Sequence, residues 1–215
     1  MKPDQSLLSW RAVPVKKPIP PEGYQVFMTL DGIQPLIWRR LLLPARLTLE
    51  DLHVVLITVL EWANYHLHEF RFDGVGNGEL DPEAPQVRDE RKVRVHQVLG
   101  YAGATGKYLY DFGDGWAHTL TVERVLPLDP DFDYPVCIAG ERQGPLEDSG
   151  GPHGYLELLK AVADRKHARH GELREWVGEG FDPEEFSQEQ MNELLAGDFR
   201  PRKRKSAAAH RGLVH

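Results

Sequence analysis

Tyr108-Leu109-Tyr110-Asp111-Phe112-Gly113-Asp114-Gly115-Trp116-Ala117-His118-Thr119-Leu120-Thr121-Val122 is the stretch on which the fold turns. Two runs of alternating aromatic, β-branched and polar residues flank Gly113-Asp114-Gly115, so the spacing predicts a hairpin with a tight tip. Trp116, His118, Leu120 and Val122 share one strand face, and Asp111 is expected opposite the face of Tyr108, Tyr110 and Phe112. Upstream, Tyr24 to Leu30 alternates and then Asp31-Gly32 turns the chain. An apolar run from Leu36 to Leu43 follows between Pro35 and Pro44, predicting a second hairpin. Thr48 with Asp51 resembles a capping box. Leu49, Leu52, Leu56, Val59, Leu60 and Ala63 draw a helical stripe over 49–63, with Asn64 suited to the left-handed position beyond it.

His66 to Phe72 alternates with period two, which predicts a strand presenting His66, His68, Phe70 and Phe72 on one face. Residues 73–92 mix Gly, Pro and charge and read as a long loop, and periodicity leaves 93–99 open between strand and helical turn. Gly150-Gly151-Pro152 introduces a helix from about His153, and one or two short helices are expected between Leu173 and Leu195. The order β-β-α-β-β-β-α-α fits an α+β fold: a mainly antiparallel sheet with hairpins, packed against two or three helices.

Of the 215 residues 41% are hydrophobic and 27% charged, a globular composition. No apolar run long enough for a membrane span occurs, and residues 1–10 lack the apolar stretch of a signal peptide. The single Cys137 suits a reducing compartment, so a cytoplasmic location is expected, and it excludes an intramolecular disulfide and a four-cysteine zinc site. Residues 1–22 read as a proline-rich arm, 23–196 as one domain and 197–215 as a basic flexible tail. All 33 acidic residues precede Arg200, and six of the 26 cations fall after Phe199. The body is therefore acidic and ill-suited to nucleic acid. The tail residues Arg202, Lys203, Arg204 and Lys205 would give a weak, sequence-blind phosphate contact.

Three stretches offer chemistry. On a strand, His66 and His68 have Cα atoms about 6.6 Å apart and parallel side chains, a spacing that permits joint ligation of a divalent metal. Their face also carries Phe70 and Phe72, as a core-facing strand would. Asp111, Asp114 and His118 surround the glycine turn. His118 could act as base or ligand with Asp114 as its orienter, or Asp114 could bond nearby amides while His118 packs inward. Glu147 and Asp148 stand in an acidic Gly-rich loop before a helix, where bare phosphate would be repelled unless a cation bridged it. Cys137 lies beside Val136 and Ile138, as a small buried apolar residue would.

The words Trp62-x-x-x-His66-Leu67-His68-x-Phe70, Tyr108-x-Tyr110-Asp111-Phe112-Gly113-Asp114-Gly115-Trp116-x-His118 and Cys137-x-x-Gly140…Pro145-x-Glu147-Asp148-x-Gly150-Gly151 resemble, in order, those of the plasmid pRiA4b ORF-3-like family. That family includes passenger proteins of bacterial insertion sequences. Asp182-Pro183-Glu184-Glu185-Phe186 and Asn192 are similar to its C-terminal section; Leu146 departs from it, where the family has a second proline. The resemblance implies an α+β fold and a bacterial, mobile-element setting, and supplies no established activity. Some relatives carry a resolvase-like label, which does not transfer, because neither a serine-recombinase nucleophile motif nor a helix-turn-helix is found.

Two functions from different classes follow as expectations. The first is a binding or accessory module whose acidic cleft holds a basic protein segment. The alternative is a metal-assisted hydrolase gathering His66 or His68, Asp111 or Asp114, His118, Glu147 and Asp148 around a divalent ion. Nucleic-acid association through the tail is a weaker third reading.

Overall fold

The computed structural model describes residues 22–80, 87–127 and 134–199; the tail residues Arg202 to Lys205, with their expected phosphate contact, and nearly all of the proline-rich arm lie outside them. The first hairpin is β1 (Glu22–Leu30) with β2 (Trp38–Pro44), and α1 (Leu49–Leu60) follows. Next come β3 (His68–Phe72), β4 (Val75–Gly78), β5 (Arg88–Asp89), a 3-10 turn (Glu90–Lys92) and the single-turn α2 (Val95–Val98). The decisive hairpin is β6 (Thr105–Tyr110) with β7 (Trp116–Pro127), succeeded by β8 (Val136–Glu141), α3 (Gly151–Ala163), α4 (His170–Val177) and α5 (Gln188–Phe199). The strands form one eight-stranded sheet in the order β5-β4-β3-β6-β7-β1-β2-β8, antiparallel except for the β4–β5 pair. The fold is α+β, as the patterning implies.

Several details differ from the reading of the sequence. The expected loop over 73–92 contains β4 and β5, whose order comes from pairing with β3 rather than from any alternation of their own. Residues 95–98 settle into a helical turn. Val136–Glu141, to which the patterning assigns no element, forms the edge strand β8 and carries Cys137. Helix α1 ends at Leu60 with Glu61 as its left-handed cap (φ 59°); Asn64 is left-handed as expected, at φ 62°, but lies three residues beyond that cap. Strand β3 starts only at His68, so His66 lies outside its register.

Alternation sorts the sheet into two faces. Val26, Met28, Leu41, Tyr108, Tyr110, Trp116 and Leu120 are fully buried in the core that Leu52, Val55, Leu56 and Val59 of α1 also enter. The opposite face is half exposed and polar: Glu123 accepts from Arg40 and Gln25, and Asp31 from Lys107 and Thr119. Thr48 and Asp51 do form the capping box of α1. At its far end the buried Arg39 donates Nε–H to the Val59 carbonyl at 2.9 Å, placing a cation where the helix dipole is negative. The β8 edge is covered by Asn192 of α5, which accepts from Cys137 N–H and donates to Cys137 O, both at 2.8 Å. Cys137 is fully buried and burial raises its thiol to about 11, which suits a small packed residue.

Candidate metal centre

The end of the sheet where β6 turns into β7 gathers three separate segments. Asp111, the residue after β6, adopts φ 54°, a left-handed conformation that Asp tolerates. Its Oδ1 accepts from Gly113 N–H (2.9 Å) and Asp114 N–H (3.2 Å), and its own N–H donates to Leu67 O at 3.0 Å. That last bond brings the segment preceding β3 alongside the turn. The loop before α3 docks from the other side, as Asp114 Oδ2 accepts from Gly150 N–H at 3.0 Å. Glu147 accepts from Ala63 N–H (2.7 Å) and from Tyr110 OH (2.6 Å), while Trp62 Nε1–H donates to Pro145 O at 2.8 Å. Trp62 also stacks on Tyr110, with ring centroids 4.8 Å apart.

Between these supports lie His66, Asp111 and Asp148. One imidazole nitrogen or carboxylate oxygen from each lies within 4.8 Å of the others. His66 Nδ1 is 3.6 Å from Asp111 Oδ2, and its Nε2 is 3.6 Å from Asp148 Oδ1. His66 Nε2 is sealed from solvent yet has no hydrogen-bond partner among the described residues, an arrangement that costs free energy unless something binds it. Asp111 is nearly buried, whereas Asp148, also left-handed at φ 60°, stands open to solvent. Imidazole with two carboxylates is a donor set for Zn²⁺ or Mn²⁺, and three protein ligands leave room for water.

The other expected ligands go elsewhere. Asp114 caps the docked loop and Glu147 fastens it, so both hold the site's frame. His68 is engaged elsewhere, with Nε2 2.7 Å from Glu90 Oε2 and its ring stacked 3.6 Å from His53. His53 Nε2 is 2.8 Å from Asn64 Oδ1 and its Nδ1 2.8 Å from Tyr108 OH, so a neutral ring protonated on Nε2 satisfies both contacts. Burial, and then His68, lowers His53 to about 4. The sequence reading missed His53 and Glu90: position 53 falls on the buried stripe of α1, which could have revealed it, while nothing local marks Glu90.

His118 is fully enclosed and serves the core rather than the centre; Trp62 meets its ring edge-on at 5.4 Å. Burial lowers it from its ordinary 6.5 to about 4. Because the folded state binds the proton less readily than the unfolded chain, stability falls as pH drops from about 6.5 towards 4. By pH 5 this one residue accounts for about 2 kcal/mol. His118→Leu is expected to melt with a weaker loss between pH 7 and pH 5 than the unaltered protein; parallel melting curves would contradict this.

An eight-stranded α+β sheet with a His-Asp-Asp cluster at one end defines the kind of protein this is, and comparison with known proteins gives the class a family. The sequence profile described as plasmid pRiA4b ORF-3-like protein matches residues 22–190, and the chain belongs to that family. It is 39% identical over 171 residues to the Uncharacterized protein y4hQ of Sinorhizobium fredii (strain NBRC 101917 / NGR234), covering 78% of this chain and 88% of that protein. Its fold is similar to the crystal structure of MM3350 from Methanosarcina mazei Go1, a protein of unknown function, with TM-score 0.72, 34% identity and coverage of 78% of this chain and 96% of the other.

Proposed function

We propose that the chain binds one divalent cation between His66, Asp111 and Asp148 and uses it for metal-assisted hydrolysis. The observation that carries this reading is the approach of three ligand atoms, from three distant segments, to within 4.8 Å of one another, at a buried imidazole nitrogen that makes no hydrogen bond among the described residues. A divalent ion there would lower the pKa of a bound water towards about 7 and polarise the bond to be cleaved. Hydrolysis there would divide one water across the cleaved bond, its hydroxyl going to the electrophilic side and its proton to the departing group. His66 and Asp111 would fix the ion, and the solvent-facing Asp148 would complete its ligation at the open side.

Residence in the cytoplasm and a plasmid or mobile-element setting belong to the same proposal. They are supported by the one unpaired thiol and by the family's description. Among the described residues no helix is long and apolar enough to cross a membrane.

The test is metal content and thermal melting with Zn²⁺ or Mn²⁺. One ion per chain is expected, with stabilisation of about 2.7 kcal/mol at a hundredfold excess over Kd. His66→Ala should lose both. Absence of bound metal and of any melting shift, or equal binding by His66→Ala, would end this reading.

A further inference from the structure

Two clefts meet at the candidate metal centre. One, of about 610 Å³, runs along α1 and the start of β3 and includes His66 in its wall; the other, of about 830 Å³, lies between α3 and α4 and includes Asp148. The 3.6 Å contact of His66 with Asp148 is therefore their shared border. We propose that the two clefts together hold an extended polypeptide segment bearing lysine or arginine, laid across that border; the inference rests on the metal-centre reading for the bond that is cut, but not for binding.

Shape, charge and apolar surface agree. Each cleft lies within the size range that accommodates a drug-sized group, and a ligand using both must be long. The first cleft is lined by Glu50, Glu79 and Glu90 against Arg91 alone, and the second by Asp148, Glu157, Glu172 and Glu175 against Arg169 alone. Arg91 is committed to Asp89, Arg169 to Glu172 and Lys160 to Glu157, which leaves Asp148 and Glu175 as the unneutralised acids of the second cleft. Glu50, Glu79 and Glu175 are exposed; Glu50 and Glu79 face Arg91 at longer range than a salt bridge. Such a lining attracts cations and repels a phosphate backbone. Tyr65, Leu67 and Leu80 at the first cleft and Trp176 at the second are large apolar side chains left in solvent, at 79%, 59%, 50% and 49% exposure. They offer anchors for apolar residues between the cations, as aromatic and aliphatic anchors do at peptide-binding surfaces.

The experiment uses fluorescence anisotropy with a labelled Lys/Leu peptide of about ten residues, which at about 3.3 Å per residue extends to roughly 33 Å. A Glu/Leu peptide and a single-stranded oligonucleotide serve as competitors. Binding is measured in the full chain with and without EDTA, so that loss of the metal centre and loss of the peptide site are read separately. The Lys/Leu peptide is expected to bind in both conditions, and neither competitor should displace it. Glu79→Lys and Glu175→Lys, one exposed change in each cleft, should each weaken it about tenfold at low salt, and together about a hundredfold. The proposal is overturned if the reversed variants bind equally, if only one cleft matters, or if the oligonucleotide competes.

Discussion

Asp111→Asn is expected to leave the fold standing and to weaken divalent-metal binding by at least about a hundredfold. Asn accepts the left-handed backbone that Asp111 adopts, and its carbonyl oxygen can go on receiving the Gly113 and Asp114 amides. What changes is the atom turned towards His66: a carboxylate oxygen 3.6 Å away becomes an amide NH₂, which cannot ligate a cation. Melting without metal should stay within about 1 kcal/mol of the original. Asp111→Ala, by contrast, loses the turn bonds as well and should cost about 2 kcal/mol even without metal. Titration calorimetry on the two variants separates the roles. Unaltered metal affinity in Asp111→Asn would remove Asp111 from the centre.

Gly151→Ala should act through the backbone. Gly151 has φ +68°, and a Cβ built there would sit 2.1 Å from the Asp114 carbonyl oxygen, which is itself in the hairpin turn. Neither atom belongs to a flexible side chain, so the start of α3 must move away from the turn. The left-handed penalty and the displaced contact together cost roughly 3 kcal/mol or more. The movement would carry Asp148, three residues earlier, away from His66, so metal binding should fall with the melting temperature. Gly171→Ala in α4 meets nothing within 4 Å and should be neutral or slightly stabilising, which makes it the control. A Gly151→Ala protein melting with the parent would show that the docking of the loop on the turn is loose.

Much of this architecture was legible because its residues announce themselves locally. The 108–122 hairpin, the capping box at Thr48 and the glycine pair before α3 each need only neighbours in sequence to be recognised. Strands β4, β5 and β8 were not legible, since Val75–Gly78 carries two glycines and β8 takes its place from pairing with β2 and from Asn192. The centre was half readable. The right side-chain types were in view, but which of them meet is decided by where β3 begins. Starting at His68 instead of His66, the strand commits one histidine to Glu90 and releases the other towards Asp111. No periodicity records that two-residue difference.

The three donors come from stretches that no local structure joins, one before β3, one in a hairpin tip and one ahead of α3. A cation gripping all of them would work as a removable staple, restraining two long chain segments that the unfolded polymer leaves free. Its grip exists only once the last of those stretches has been laid down, so no fragment ending before Asp148 could carry the ion with the same strength. Chelation would accordingly reach beyond reactivity, loosening the seam between the hairpin tip and the helical half of the molecule and exposing it first to proteolysis.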